Sequence, residues 1–146
     1  FALACDLRVM SKESAILYAF VNIGLGPDGG ASWLLARQVG YSKALEIAIS
    51  GKKILGEECL KLGLTNKIVG KDEVLNDAKK WAHELSIRPT LAIGIAKADM
   101  MYSMDHNLID TIAFEAEEQV AAFNSHDLKE GVAAFIQKRP AKFLGK

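Results

Sequence analysis

The sequence contains little of what marks several common classes of protein. Its only two cysteines, Cys5 and Cys59, have no second Cys or His at metal-ligand spacing, so no zinc site is predicted. Lys and Arg together equal Asp and Glu at 18 each, which leaves no net charge to attract nucleic acid. No apolar stretch approaches the roughly 20 residues that a membrane span requires. We therefore expect a soluble cytoplasmic protein that binds no metal, nucleic acid or membrane.

The start of the chain also lacks features that a complete chain would show. Its first residues, Phe-Ala-Leu-Ala-Cys, include neither an initiator Met nor a helix-capping residue. Asp6 and Arg8 interrupt the apolar run, which is not typical of a signal peptide. We expect the sequence to be part of a longer chain, cut within an element of structure.

Half of the residues are hydrophobic, which is enough for a domain with a core. In residues 1–70, short apolar segments that predict strands alternate with stretches that predict helices. The predicted strands are Leu7–Met10, Ile16–Phe20, Lys53–Leu55 and Leu64–Val69. The predicted helices are Ala31–Val39, a second from Ser42 to the stop at Gly51, and Glu57–Leu62. This alternation is typical of an α/β domain.

Residues 71–146 contain no further strand pattern. Apolar residues recur there at helical spacing, and Pro89 separates the first helix from the second. The predicted helices are Asp72–Leu85, Leu91–Met101, Leu108–Phe123 and Leu128–Lys138. The sequence therefore predicts an α/β part over residues 1–70 and a helical part over residues 71–146.

Residues 24–29 match the dinucleotide-binding pattern G-x-G-x-x-G, which has meaning only between a strand and a helix. Pro27 removes a backbone N–H from the loop that would hold the pyrophosphate. Glu46, the nearest acid at a suitable distance, falls within a predicted helix instead of at a strand end. These departures disfavour an NAD-binding site.

Asp28 has two interpretations. Its position before two glycines and a helix is typical of an N-cap, whose side chain accepts a backbone N–H. A single carboxylate among apolar residues is also suited to proton transfer, because desolvation and the helix N-terminus shift its pKa in opposite directions. The local pattern favours the cap and leaves the catalytic role open.

The C-terminal helix ends in basic residues at positions 138 and 139. Cations at this end complement the helix dipole, and they can equally hold phosphate groups. The sequence pattern does not choose between these two roles.

Several segments, in order and at matching spacing, resemble the enoyl-CoA hydratase/isomerase (crotonase) superfamily over essentially the whole chain. They are Ala2–Arg8, Ile23–Leu25, Pro27–Gly30, Trp33–Arg37, Val39–Gly40, Ala44–Glu46, Ser50–Gly51, Gly63–Leu64, Lys129–Gly131, Ala134–Phe135 and Lys138–Arg139. The resemblance implies the C-terminal part of a crotonase-type α/β spiral, followed by a helical region that builds homotrimers or hexamers. It also implies chemistry on acyl-CoA substrates, in which two backbone N–H groups stabilise a thioester enolate and carboxylates move protons.

The family pattern places both enolate-binding N–H donors, and one of the two hydratase glutamates, before Phe1. The second glutamate position is occupied here by Phe20, which disfavours hydration. Asp28 falls where dienoyl-CoA isomerases and the epoxide isomerases of phenylacetate breakdown have a catalytic aspartate. The nucleophilic aspartate of 4-chlorobenzoyl-CoA dehalogenases occupies the same position, but those enzymes have Trp at the place of Phe20.

We therefore predict an acyl-CoA isomerase in which Asp28 moves the proton and CoA is part of the substrate, with no separate cofactor. By the same resemblance, Phe20, Leu25 and Pro27 line the acyl pocket, and Lys138 contacts the CoA nucleotide. The alternatives are an enoyl-CoA hydratase, a dehalogenase, or a non-catalytic CoA-binding or assembly fragment.

Overall fold

The computed structural model describes residues 1–146, which form two compact units, Phe1–Lys80 and Trp81–Lys146. The boundary predicted from the sequence lies at residue 70, where the last strand has ended. The strands are β1 (Val9–Ser11), β2 (Ala15–Leu17), β3 (Lys53–Leu55) and β4 (Lys67–Val69). The helices are α1 (Ala31–Val39), α2 (Tyr41–Ser50), α3 (Gly56–Lys61), α4 (Val74–Ser86), α5 (Thr90–Ser103), α6 (Leu108–Asn124) and α7 (His126–Gln137). Short 3-10 helices cover Ala2–Ala4, Phe20–Ile23 and Lys71–Glu73.

The four strands form two separate pairs in the first unit. β1 and β4 are parallel, with Met10 opposite Ile68. β2 and β3 are antiparallel, with Ile16 opposite Ile54. A parallel pair needs a long crossover, and here α1, α2 and α3 all lie between β1 and β4 in the chain.

The core of the first unit collects side chains from both strand pairs and from the helices between them. Its buried members are Tyr18, Leu35, Ala44, Ile47, Ile54, Cys59 and Leu64. Cys59 is therefore a buried thiol, whereas Cys5 is exposed. Burial raises the pKa of the Cys59 thiol, which keeps it in the neutral form.

Arg8 joins three parts of the first unit through its guanidinium. Its Nε donates to the carbonyl oxygen of Leu64 at 2.7 Å, and one terminal nitrogen donates to Oε1 of Gln38 at 2.9 Å. The other terminal nitrogen donates to the carbonyl oxygen of Cys5 at 2.5 Å. Charge-assisted bonds of this kind are stronger than neutral ones, so Arg8 holds the N-terminal turn beside α1.

Two helices of the second unit, α6 and α7, have starts capped by side chains. Asn107 accepts hydrogen bonds from the backbone N–H of Ile109 and Asp110 at the start of α6. Ser125 accepts one from the N–H of Leu128 at the start of α7. None of the helices is both long and apolar enough to cross a membrane.

All seven predicted helices are confirmed within two residues at each end, and α1 has the predicted bounds. β3 has the predicted bounds, whereas the other three strands are shorter than predicted. The predicted strand Ile16–Phe20 is wrong at its end, because β2 stops at Leu17 and Phe20 begins a 3-10 helix. Trp33 is 41% exposed, and the guanidinium carbon of Arg37 lies 3.7 Å from its ring centroid.

Candidate active site

The glycine-rich loop between the 3-10 helix Phe20–Ile23 and α1 contains glycines in the left-handed conformation. Gly24, Gly29 and Gly30 have φ values of 76°, 57° and 80°, a region that residues with a Cβ rarely adopt. Gly30 is the N-cap of α1, and it has no side chain with which to cap the helix. The predicted side-chain cap by Asp28 is therefore wrong, because two left-handed glycines separate it from the helix. Its backbone carbonyl instead accepts a hydrogen bond from the N–H of Ala31 at 2.9 Å.

The same geometry bears on the dinucleotide interpretation of this loop. That interpretation requires a strand immediately before the first glycine. The structure has the 3-10 helix Phe20–Ile23 there, so the context for a pyrophosphate loop is missing. Nor does any cluster of three or more His, Cys, Asp or Glu side chains suited to a metal ion occur in the chain.

Asp28 borders a cavity of about 580 Å³ in the first unit, which we call the proximal cavity. Its other lining residues are Phe1, Ala2, Leu3, Ala4, Ile16, Tyr18, Phe20, Gly29, Ala31 and Leu34. Asp28 is the only acidic residue among them, and the rest are apolar apart from the Tyr18 hydroxyl. A carboxyl group at the edge of an apolar cavity can accept a proton from a bound hydrocarbon chain and return it.

Phe20 lines the proximal cavity together with Asp28. Its ring is half-buried and meets the Tyr18 ring edge to face, with centroids 6.1 Å apart and an interplanar angle of 62°. The structure thus brings these two predicted site residues to one cavity. A phenyl ring has no proton to exchange, so Asp28 is without an acidic partner across this space.

Pro27 and Leu25 lie elsewhere in the loop. Pro27 lines a second, smaller cavity of about 250 Å³, which we call the distal cavity. Leu25 is 59% exposed and borders neither cavity, while its N–H donates to the carbonyl oxygen of Phe20. Their contact with an acyl chain therefore remains a prediction.

Lys138 lies in the second unit, immediately after α7. It is exposed and adopts the left-handed conformation, with φ 51° and ψ 42°, the only residue other than glycine to do so. The next residue, Arg139, is held by Glu130, with its two terminal nitrogens 2.6 and 2.8 Å from the two carboxylate oxygens. The sequence leaves two roles open for the basic residues after α7, complementation of the helix dipole and contact with phosphate. One of these residues, the arginine, is already engaged in an ion pair.

Sequence reasoning missed two carboxylates on α7 that hold the last residues of the chain. Asp127, only 4% exposed, accepts hydrogen bonds from the N–H of Leu144 and Gly145 at 2.7 and 2.8 Å. Glu130 accepts one from the N–H of Lys142 at 2.8 Å, besides its pair with Arg139. Spacing alone could not reveal the bonds to Leu144, Gly145 and Lys142, because the partners are backbone groups 12 to 18 residues away.

Sequence reasoning also passed over Tyr18. The predicted strand Ile16–Phe20 includes it, whereas the structure buries it beyond β2, with its hydroxyl donating to the carbonyl oxygen of Ala31 at 3.1 Å. Burial raises the pKa of the phenol, so the hydroxyl stays protonated as a donor. Tyr18 lines both the proximal and the distal cavity.

Comparison with known proteins places this chain in a family. The sequence profile described as enoyl-CoA hydratase/isomerase matches residues 1–146. The 1,2-epoxyphenylacetyl-CoA isomerase of Escherichia coli K12 is 32% identical over 146 residues, covering 99% of this chain and 55% of that protein. The short-chain-enoyl-CoA hydratase of Clostridium acetobutylicum is 30% identical over 138 residues, covering 94% of this chain and 53% of that protein. The crystal structure of an enoyl-CoA hydratase from Mycobacterium tuberculosis H37Rv superposes with a TM-score of 0.92 at 29% identity, covering 99% of this chain and 57% of that one.

These matches confirm the predicted fold class, an α/β fold of the crotonase type. The chain belongs to the enoyl-CoA hydratase/isomerase family, because the family profile extends over all of it. It spans about half the length of the curated relatives it matches. Those relatives include both a hydratase and an isomerase, so the family alone does not choose between the two reactions.

Proposed function

We propose that the protein is an acyl-CoA isomerase in which Asp28 moves a proton between two carbons of a CoA thioester. The observation that carries this proposal is the position of Asp28 as the single acidic residue of an otherwise apolar cavity. A double-bond shift needs one group that removes a proton and returns it elsewhere, whereas activation of a water for hydration is served by two carboxylates.

The proton balance of this reaction closes on Asp28 itself. Its carboxylate removes a proton from the α- or γ-carbon, and the electron pair of that C–H bond delocalises to the thioester carbonyl oxygen as an enolate. The enolate collapses as the Asp28 carboxyl group returns the proton to the other carbon, which moves the double bond. No group is consumed, and no separate cofactor is required.

The enolate oxygen requires donors that stabilise its charge in the transition state. By resemblance to the family, two backbone N–H groups from a segment ahead of Phe1 would supply them. Lys138 would contact the nucleotide of CoA, and the helical region would assemble homotrimers or hexamers in the cytoplasm. These parts of the proposal rest on the resemblance.

The variant Asp28→Asn in the intact protein tests the proposal. The amide cannot accept the proton, so we expect isomerisation to fall by about 10²- to 10⁴-fold while the affinity for acyl-CoA is retained. Asp72→Asn, a change at an exposed aspartate of the same unit, is the matched control and should leave the rate unchanged. Full isomerase activity of Asp28→Asn would remove Asp28 from the mechanism.

Hydration is the second candidate, favoured by the hydratase among the relatives. It predicts loss of the ultraviolet absorbance of a conjugated enoyl-CoA on incubation with the intact protein. If hydration depends on a glutamate that Phe20 replaces, then Phe20→Glu should increase this activity. Rapid hydration by the unmodified protein, insensitive to Asp28→Asn, would favour the hydratase over the isomerase.

A further inference from the structure

Tyr18 is the one residue that lines both the proximal and the distal cavity. Its side chain is 6% exposed, so the ring is fixed within the core. The hydroxyl is bonded to the Ala31 carbonyl oxygen, and the ring rests against Phe20. The ring is therefore held in place beside two largely apolar cavities, one of which contains Asp28.

The distal cavity carries no charged group. It is lined by Tyr18, Pro27, Ser32, Leu35, Ala36, Tyr41, Ala44, Leu45 and Ala48. Tyr41 is 76% exposed, so this cavity reaches the surface of the unit at the start of α2. An apolar lining of this kind favours a hydrocarbon chain over water.

Two neighbouring residues of the loop line different cavities. Pro27 lines the distal cavity, and Asp28 lines the proximal one. A chain that reacts at Asp28 therefore lies beside a loop whose preceding residue lines the distal cavity. Tyr18 is the only residue common to both linings.

We propose that Tyr18 is a specificity-determining residue, whose ring separates the distal cavity from the proximal one and limits the length of acyl chain accepted beside Asp28. This inference rests on the proposed function, since it takes an acyl-CoA as the substrate of the proximal cavity. A smaller side chain at position 18 would join the two cavities. The distal end of a longer acyl chain would then enter the space lined by α1 and α2.

The test uses the intact protein with a series of short-, medium- and long-chain enoyl-CoA substrates. Tyr18→Ala should raise kcat/KM for the long chain relative to the short one by about tenfold or more, since pocket contacts with even one methylene are worth this much. Tyr18→Phe is the matched control. It removes the hydrogen bond but keeps the ring, so the long-to-short ratio should remain that of the unmodified protein.

A second change in the distal cavity gives an independent readout. Ala48→Phe fills that cavity from α2, so it should cancel the gain in the double variant with Tyr18→Ala. If Tyr18→Ala does not fold, Tyr18→Leu opens less space and should produce a smaller shift in the same direction. An unchanged ratio in the folded variant, or an equal shift in Tyr18→Phe, would overturn the role of the ring.

Affinities for saturated acyl-CoA esters separate this inference from the proposed isomerisation. These esters cannot isomerise, so their binding reports chain-length selection without chemistry. A shift toward long chains in Tyr18→Ala supports the inference even if Asp28→Asn shows that isomerisation does not depend on Asp28. Binding that ignores chain length in every variant overturns the inference and leaves the role of Asp28 unaffected.

Discussion

The hydroxyl of Tyr18 donates a hydrogen bond to the carbonyl oxygen of Ala31, 3.1 Å away. Ala31 is the first residue of α1, and the loop with Asp28 lies between the two partners in the chain. The bond therefore ties the residue after β2 to the helix that follows the loop. The hydrogen bond holds the two ends of the loop together, although neither partner is adjacent to Asp28 in sequence.

Removal of this bond should lower the stability of the first unit. For Tyr18→Phe in the intact protein we expect a loss of about 1 kcal/mol in the free energy of unfolding, the typical net value of such a bond. Urea denaturation measures this change. Tyr41→Phe removes the same hydroxyl from a residue that is 76% exposed and should have no effect. Equal losses in the two variants would show that the Tyr18 bond is not the cause.

Leu35 should be among the most sensitive positions of the core. It is 1% exposed on the inner side of α1, so Leu35→Ala should leave a cavity and cost about 2 to 5 kcal/mol of unfolding free energy. Leu75→Ala, which makes the same change on a side chain that is 63% exposed, should cost about 0.5 kcal/mol or less. Similar midpoints for the two variants in urea would contradict the described core.

The ion pair of Glu130 with Arg139 should make stability depend on acid pH. The hydrogen bonds from Arg139 and from the Lys142 N–H lower the pKa of Glu130 to about 2 from its ordinary 4.5. A lowered pKa means that the stabilisation is fully present above about 4.5 and is lost as the pH falls toward about 2. The difference in Tm between the unmodified protein and Glu130→Gln should therefore shrink across this range.

The matched control for Glu130 is Glu117, an exposed glutamate on α6. Glu117→Gln should leave the acid dependence of Tm as it is in the unmodified protein. A difference between Glu130→Gln and the unmodified protein that stayed constant down to about pH 2 would contradict the assignment to this carboxylate.

Lys138 allows stability and binding to be separated at one position. Its φ of 51° is costly for a residue with a Cβ, so Lys138→Gly should stabilise the folded protein by about 1 kcal/mol. If Lys138 also contacts the CoA nucleotide, the same variant should bind acyl-CoA more weakly. Thermal unfolding and calorimetric titration measure the two effects. Lys138→Asn, which tolerates this conformation without the charge, should weaken binding to a similar degree, and unchanged affinity in both would exclude the contact.

The helices were predictable from local sequence because each is defined by residues close together in the chain. The apolar spacing in residues 72–85 matches α4, Gly51 follows the end of α2, and Pro89 precedes α5. The order of the family segments also indicated the α/β crotonase-type fold that the comparisons confirm. Predicting these features does not require knowing which elements contact one another in the folded protein.

The pairing of strands required the tertiary structure. β1 and β4 lie nearly 60 residues apart, and their three-residue lengths reflect where the two backbones remain close enough to bond. Phe20 looks like the end of a strand by composition, yet β2 loses its partner β3 beyond Leu17. A strand needs a neighbour for its backbone groups, and local sequence does not say where that neighbour stops.

The sequence by itself determined that Asp28 is a lone carboxylate in a glycine-rich loop and that Phe20 stands where an acid is expected by resemblance. Only the tertiary structure decided that Asp28 does not cap α1, because the φ values of Gly29 and Gly30 turn the chain before the helix begins. It also decided that Asp28 and Phe20 share one cavity while Pro27 lines another. Cavities and their common wall at Tyr18 arise from packing between distant segments, and no local pattern encodes that packing.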